Sequence, residues 1–170
     1  MRKKTVVPFR RRRMQVLIAP QLFYGLVFLI SGTGKLPGQT EFADIILLPF
    51  WNPLMAFLIA HLLPWAELFL GIALFLNLLP RLASLLGIPL ICGFIVNNAW
   101  ALAQGIDKYP TCGYCFGLFE EWIGFLSPLQ SLVIDVALLV SALVILFFHP
   151  DRFFSFRPWV FRRKVVKTNV

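Results

Sequence analysis

Residues 54–76 read LMAFLIAHLLPWAELFLGIALFL, an apolar run interrupted only by His61, Pro64 and Glu67. As a helix it is about 34 Å long, enough to cross the roughly 30 Å hydrocarbon layer of a bilayer. Three more runs of this kind lie at 14–32, 82–103 and 127–148. In a chain of 170 residues they leave no room for a large aqueous domain, and the composition agrees: 59% hydrophobic, 14% charged, mean hydropathy +0.79. The reading is all-α: an integral membrane four-helix transmembrane bundle over 14–148, between basic tails at 1–13 and 149–170.

The net charge of +8, from 16 Lys and Arg against 8 Asp and Glu, would raise the question of nucleic acid in a soluble chain. Its distribution excludes that partner. Arg2, Lys3, Lys4 and Arg10 to Arg13 precede the first run, while Arg152, Arg157, Arg162, Arg163, Lys164 and Lys167 follow the last. Four spans put both tails on one side, and Arg81, between the second and third spans, joins them. The two outward loops keep only Lys35 and Lys108 as basic residues, beside Glu41, Asp44, Asp107, Glu120 and Glu121. By the positive-inside rule the tails are cytoplasmic, the membrane is a prokaryotic inner membrane, and the loop after the third span is extracytoplasmic. The basic start and the small residues Ser31, Gly32, Thr33 and Gly34 have the outline of a signal peptide. No clear A-x-A site follows them, so the segment is read as a retained first span.

Polar and small residues recur at helical spacing within each span. Gln21, Gly25, Gly32 and Lys35 mark the first, and Ala60, Pro64, Glu67 and Gly71 the second. Gly93, Asn97 and Gln104 mark the third, and Ser131, Asp135 and Ala142 the fourth. These faces are expected to meet, because lipid tails are as apolar as leucine and small or polar residues supply the contacts between helices. Glu67 and Asp135 stand out, since an ionised acid in hydrocarbon is costly and usually faces a protein interior. A packing role, with Glu67 protonated or hydrogen-bonded to a neighbouring helix, is the alternative to a functional one. His61 lies about 120° round the helix from Glu67 and is read as a packing or interface residue.

The most specific local signal is Thr111-Cys112-Gly113-Tyr114-Cys115-Phe116-Gly117 in the second outward loop, where two of the three cysteines form a C-x-x-C. In an oxidising compartment this pair either cycles between dithiol and disulfide or rests as a structural disulfide. The spacing suits exchange, because one thiolate attacks while the second cysteine resolves the mixed intermediate. Cys112 is the expected reactive member, since Cys115 runs into the apolar Phe116. No metal is expected: too few Cys and His accompany the pair for zinc or an iron–sulfur cluster, and position 116 is not the His of a c-type haem site. Cys92 is read as a buried small residue. Residues 116–126 mix apolar residues with Glu120 and Glu121, as a surface helix roofing the bundle would. With Trp100, Tyr109, Tyr114 and Trp122 near the headgroup level, they suggest an apolar quinone pocket beneath the disulfide. An interfacial aromatic belt fits the same residues.

Four segments together resemble the DoxX/MauE family of small, redox-associated four-helix membrane proteins, over roughly 21–146. They are Ser31-Gly32-Thr33-Gly34-Lys35-Leu36; Leu63-Pro64-Trp65-Ala66-Glu67-Leu68-Phe69-Leu70-Gly71 with Arg81-Leu82-Ala83; Cys112-Gly113-Tyr114-Cys115-Phe116-Gly117; and Leu126-Ser127-Pro128 with Asp135. The cysteine loop points to the MauE-like branch, though Tyr114 is inserted relative to the Cys-Gly-Cys-Phe-Gly form of that branch. The resemblance implies a part in disulfide formation or in maturation of exported redox proteins. The architecture also looks like the quinone-coupled disulfide enzymes of the DsbB and vitamin K epoxide reductase type, without their second cysteine pair.

The expectation is therefore a possible quinone-linked thiol–disulfide oxidoreductase. Cys112 and Cys115 are its redox-active disulfide, and a membrane quinone is held near Glu67, Asn97, Trp100 and Asp135. The partner is an exported or thioredoxin-like thiol protein, and the direction of electron flow stays open. The alternative is a non-catalytic subunit that stabilises a larger respiratory or photosynthetic complex, with a structural disulfide. Either way the lipid bilayer is the surroundings.

Overall fold

Helix starts are written locally in this chain. Pro53, Pro80 and Pro128 each sit in a first helical turn, where a missing N–H costs nothing and a fixed φ is already helical. A computed structural model describes residues 8–50, 52–107 and 126–149; among them the elements are α1 (Pro8–Lys35), α2 (Gln39–Phe50), α3 (Pro53–Phe75), α4 (Pro80–Ala103) and α5 (Pro128–Phe148). The Asn52 side chain caps α3 by accepting from the N–H groups of Leu54 and Met55. At α5 a full capping box forms: Ser127 Oγ accepts from the Gln130 N–H and Gln130 Oε1 accepts from the Ser127 N–H. Replacing Ser127 with alanine is expected to cost about 1 kcal/mol, read as a lowered midpoint of thermal unfolding in detergent.

Four of these helices are long and apolar enough to cross a membrane, with spans at Leu17–Lys35, Pro53–Phe75, Pro80–Ala103 and Pro128–Phe148. The protein is a multi-pass membrane protein of the all-α class. In the bundle α1 lies between α3 and α5, and α4 lies against α5 and α3. The core between α1, α4 and α5 is built on Tyr24, Phe28, Ile91, Leu138 and Ile145. The Tyr24 and Phe28 rings meet edge to face at 4.8 Å.

The seam between α1 and α3 is made by glycines. A side chain at Gly32 would begin 2.8 Å from the Pro64 carbonyl oxygen, and one at Gly71 would begin 3.0 Å from the Gly25 carbonyl oxygen. With no Cβ in the way the two backbones touch, which is how helices gain contact in lipid. At the other end of this seam Gln21 Nε2 donates to the Leu74 carbonyl at 2.7 Å and to Asn77 Oδ1 at 2.9 Å. That ties α1 to the tight α3–α4 turn, where Asn77 and Leu79 adopt positive φ of 57° and 49°.

Three expectations are corrected here. Residues 33–53 are not a plain loop, because Gln39–Phe50 is a helix whose Phe42 and Ile46 are buried against Ala56 and Ala60 of α3. The cause is their i, i+4 spacing, which gives even this short segment one apolar face. Gly93 and Gln104 are exposed rather than turned into the bundle; the buried face of α4 is Ala83, Ser84, Gly87, Ile91, Asn98 and Ala101. Cys92 is exposed on the surface of α4, next to that face rather than in it.

Candidate functional site

Because Gly32 lies against Pro64 to Leu68, α1 ends beside the middle of α3 rather than at its start. By helical rise, α3 continues about 15 Å beyond the end of α1, and α2 covers its first half instead. Lys35, the last residue of α1, is thereby enclosed in the bundle and not displayed in a loop, which corrects its reading as an outward basic residue.

Its ammonium meets Glu67 Oε1 at 2.6 Å, with side-chain exposures of 5% and 0% for the two partners. Two aromatic faces complete the enclosure, Phe94 at 4.5 Å and Phe42 at 5.0 Å from Lys35 Nζ to the ring centroid. The Ser31 hydroxyl also bonds the Glu67 carboxylate. Lys35 further closes the last turn of α1, where a cation complements the partial negative charge of the helix end. An isolated charge would be prohibitively costly at this depth; a paired and ring-flanked one is tolerated.

A second polar pair crosses from α4 to α5, where Asn98 Nδ2 donates to Asp135 Oδ2 at 2.8 Å. Asp135 is buried about 10 Å from the start of α5. Between the two pairs is a cavity of about 60 Å³, bordered by Ser31, Lys35, Asn97, Asn98, Ser131 and Asp135 together with aromatic and aliphatic side chains. It has room for one or two water molecules. Lys35 from α1 and Asp135 from α5 thus converge on one small chamber, with Glu67 of α3 held behind Lys35, able to hold hydrogen bonds and exchange protons inside an apolar bundle.

Beside this chamber a larger groove of about 370 Å³ runs between α2, α3 and α4. The two share Phe42, Phe94 and Asn97 as a common wall. Among the described residues Asn97 is the groove's one polar side chain; the rest of that lining is aliphatic or aromatic, with Gly93 in its wall.

Of the residues singled out in the sequence, Asp135 borders the chamber and Asn97 its wall with the groove, while Glu67 is linked to it only through Lys35. Trp100 is half-buried near the end of α4 and borders neither space. His61 bonds the Phe57 carbonyl of its own helix at 2.9 Å, apart from the cluster. Cys112 and Cys115, with Tyr109, Tyr114, Trp122 and the surface helix expected at 116–126, lie outside the described residues.

Two members of the cluster were not assigned from sequence. Lys35 had a signal, since it lies on the same helical stripe as Gln21, Gly25 and Gly32 and is opposite in sign to Glu67. Asn98 had almost none, because Asn97 and Asn98 are neighbours and only the rotation of α4 decides which of them faces Asp135.

Comparison with family models finds a match to the family described as methylamine utilisation protein MauE, over residues 13–148. The matched stretch takes in all four candidate spans and α2. Neither the curated proteins nor the solved structures give a match.

Proposed function

The chain belongs to the MauE family, and from that membership we propose a membrane protein of methylamine utilisation that acts as a thiol–disulfide redox protein for an exported or thioredoxin-like partner, through Cys112 and Cys115. The reading includes cytoplasmic termini in a prokaryotic inner membrane, with the cysteine pair on the far side. The wider kinship with DoxX proteins belongs to the same proposal.

The supporting observation is a coincidence of chemistry at one end of the chain's bundle. The C-x-x-C pair falls in the connection between Ala103 and Pro128, and the Asn98–Asp135 bond lies within about 10 Å of those helix ends. A partner thiolate attacks one sulfur of the Cys112–Cys115 disulfide, breaking that bond and forming a mixed disulfide. The partner's second thiolate then displaces the bound cysteine, leaving an oxidised partner and a reduced pair that holds two electrons and two protons. A membrane quinone, when bound, takes up two electrons and two protons, which matches what the reduced pair must release. The residues present suit such a molecule, because the groove opens at an apolar wall and ends on Asn97 beside a polar chamber. There Lys35, paired with Glu67 behind it, and Asp135 hold charge and exchange protons while the surrounding helices exclude bulk water.

Replacing Cys112 and Cys115 with serine tests the reading. The expected result is normal accumulation in the membrane with reduced thiols accumulating in the exported partner. Loss of the protein itself, or unchanged partner oxidation, would overturn it in favour of a structural disulfide in a larger complex.

A further inference from the structure

Two carboxyls and a single cation share the buried polar cluster of the described residues. Lys35 comes from α1, Glu67 from α3 and Asp135 from α5, and all are buried. To the chamber beside them α2 and α4 bring Phe42, Phe94, Asn97 and Asn98, none of them ionisable. With Lys35 an ammonium and both acids ionised, these groups would hold an uncompensated negative charge inside an apolar bundle, which is costly there. Holding one more proton makes the cluster neutral.

We propose that Asp135 carries that proton: it is a neutral carboxylic acid with an exchangeable hydrogen facing the chamber, while Glu67 is the ionised partner of Lys35. This goes beyond the redox reading above, since it stands on the charge of the cluster whether or not the cysteine pair exchanges thiols.

Geometry divides the roles between the two acids. Glu67 Oε1 meets the Lys35 ammonium at 2.6 Å, while Glu67 Oε2 is buried without a hydrogen-bond partner among the described residues. A proton on Oε2 would have no acceptor, and it would weaken the attraction to an ammonium already in contact. The charge on Lys35 is supported in turn by the faces of Phe94 and Phe42, at 4.5 and 5.0 Å, and by the end of α1. That pair is complete without Asp135. Asp135 Oδ2 accepts from the Asn98 amide at 2.8 Å, a neutral donor rather than a charged one. A protonated carboxyl needs a donor for its carbonyl oxygen and an acceptor for its hydroxyl. Asn98 is the first; the chamber, with Ser131 on its border and room for one or two waters, supplies the second. Such a group stores one proton. Passing it from Oδ1 to a chamber water leaves the cluster one unit negative, so release is favoured when another proton or positive charge arrives to replace it.

The test is infrared spectroscopy of the full-length protein in lipid nanodiscs near neutral pH. It reads the carbonyl stretch of a protonated carboxyl, which is separate from the carboxylate and amide bands. Wild type is expected to show this band, to shift it when the side-chain carboxyl carbon of its aspartates is isotopically labelled, and to shift it again in heavy water. Asp135→Asn is expected to remove the label-sensitive band. Glu67→Gln is expected to remove it as well, although Asp135 is still present, because Lys35 then balances Asp135, which ionises. An acid that only fixes packing would not respond to the loss of Glu67. Labelled wild type needs no substitution, so it decides alone if a variant fails to accumulate. The proposal is overturned if labelled wild type shows no protonated aspartate, if the label-sensitive band survives in Asp135→Asn or in Glu67→Gln, or if heavy water leaves it unmoved. A protonated Asp135 together with unimpaired partner oxidation in the Cys112→Ser/Cys115→Ser protein would remove the thiol-exchange reading and leave this one standing. An ionised Asp135, with partner oxidation lost in that protein, would do the reverse.

Discussion

Substituting Lys35 with methionine is expected to destabilise the protein by roughly 3–5 kcal/mol, because it leaves the Glu67 carboxylate buried without its counter-charge. Glu67 is fully buried and receives the Lys35 ammonium at 2.6 Å, so bulk solvent does not reach the carboxylate to take over that role. Glu67→Leu is expected to do the same from the other side, stranding an ammonium between Phe42 and Phe94. The double variant, Lys35→Met with Glu67→Leu, is expected to recover most of the loss, since removing both charges also removes the cost of burying them. Denaturation in mixed detergent micelles and the amount of protein in the membrane read this directly. A double variant no more stable than either single one would show that the pair does not act as a unit.

The second large effect is expected at Gly32. A Cβ placed there begins 2.8 Å from the Pro64 carbonyl oxygen and 3.0 Å from the Leu68 nitrogen, and both are backbone atoms with no rotamer to change. Alanine must therefore push the helices apart, at a cost of about 1–3 kcal/mol, and leucine is expected to abolish the contact. The same separation would draw Ser31 and Lys35 away from Glu67, so Gly32→Leu is expected to behave like a loss of the ion pair as well. Gly93→Ala is the control. With no atom of the described residues within 4 Å of its Cβ, it is expected to stabilise α4 by about 1 kcal/mol, so that two glycine-to-alanine changes move the unfolding midpoint in opposite directions.

Much of this was legible in the chain itself. The four apolar runs are the four spans, and Gly25, Gly32, Gly71, Glu67 and Asp135 face the interior as their helical spacing implied. The C-x-x-C and the family resemblance were likewise matters of residue identity and short spacing. α4 was the least legible helix: it is apolar nearly all round, so hydropathy gave its length but not its rotation. Gly93 was therefore expected at a helix contact and lies instead in the wall of the open groove, and Asn98 took the place beside Asp135 that its neighbour was given. Lys35 was placed on the inward stripe of the first span, as it proves, yet was also counted with a loop because that span was ended at Gly32, whereas α1 runs on to Lys35.

The division follows from what each kind of information contains. Composition and period fix how many helices form, how long they are and which residues share a stripe, because those depend on bonds and contacts within a few residues. The pairing of Lys35 with Glu67, the covering of that pair by α2, and the groove left between α2, α3 and α4 depend on the register and rotation of one helix against another. Those are set by side chains meeting across distances of thirty residues and more, which only the assembled bundle brings together.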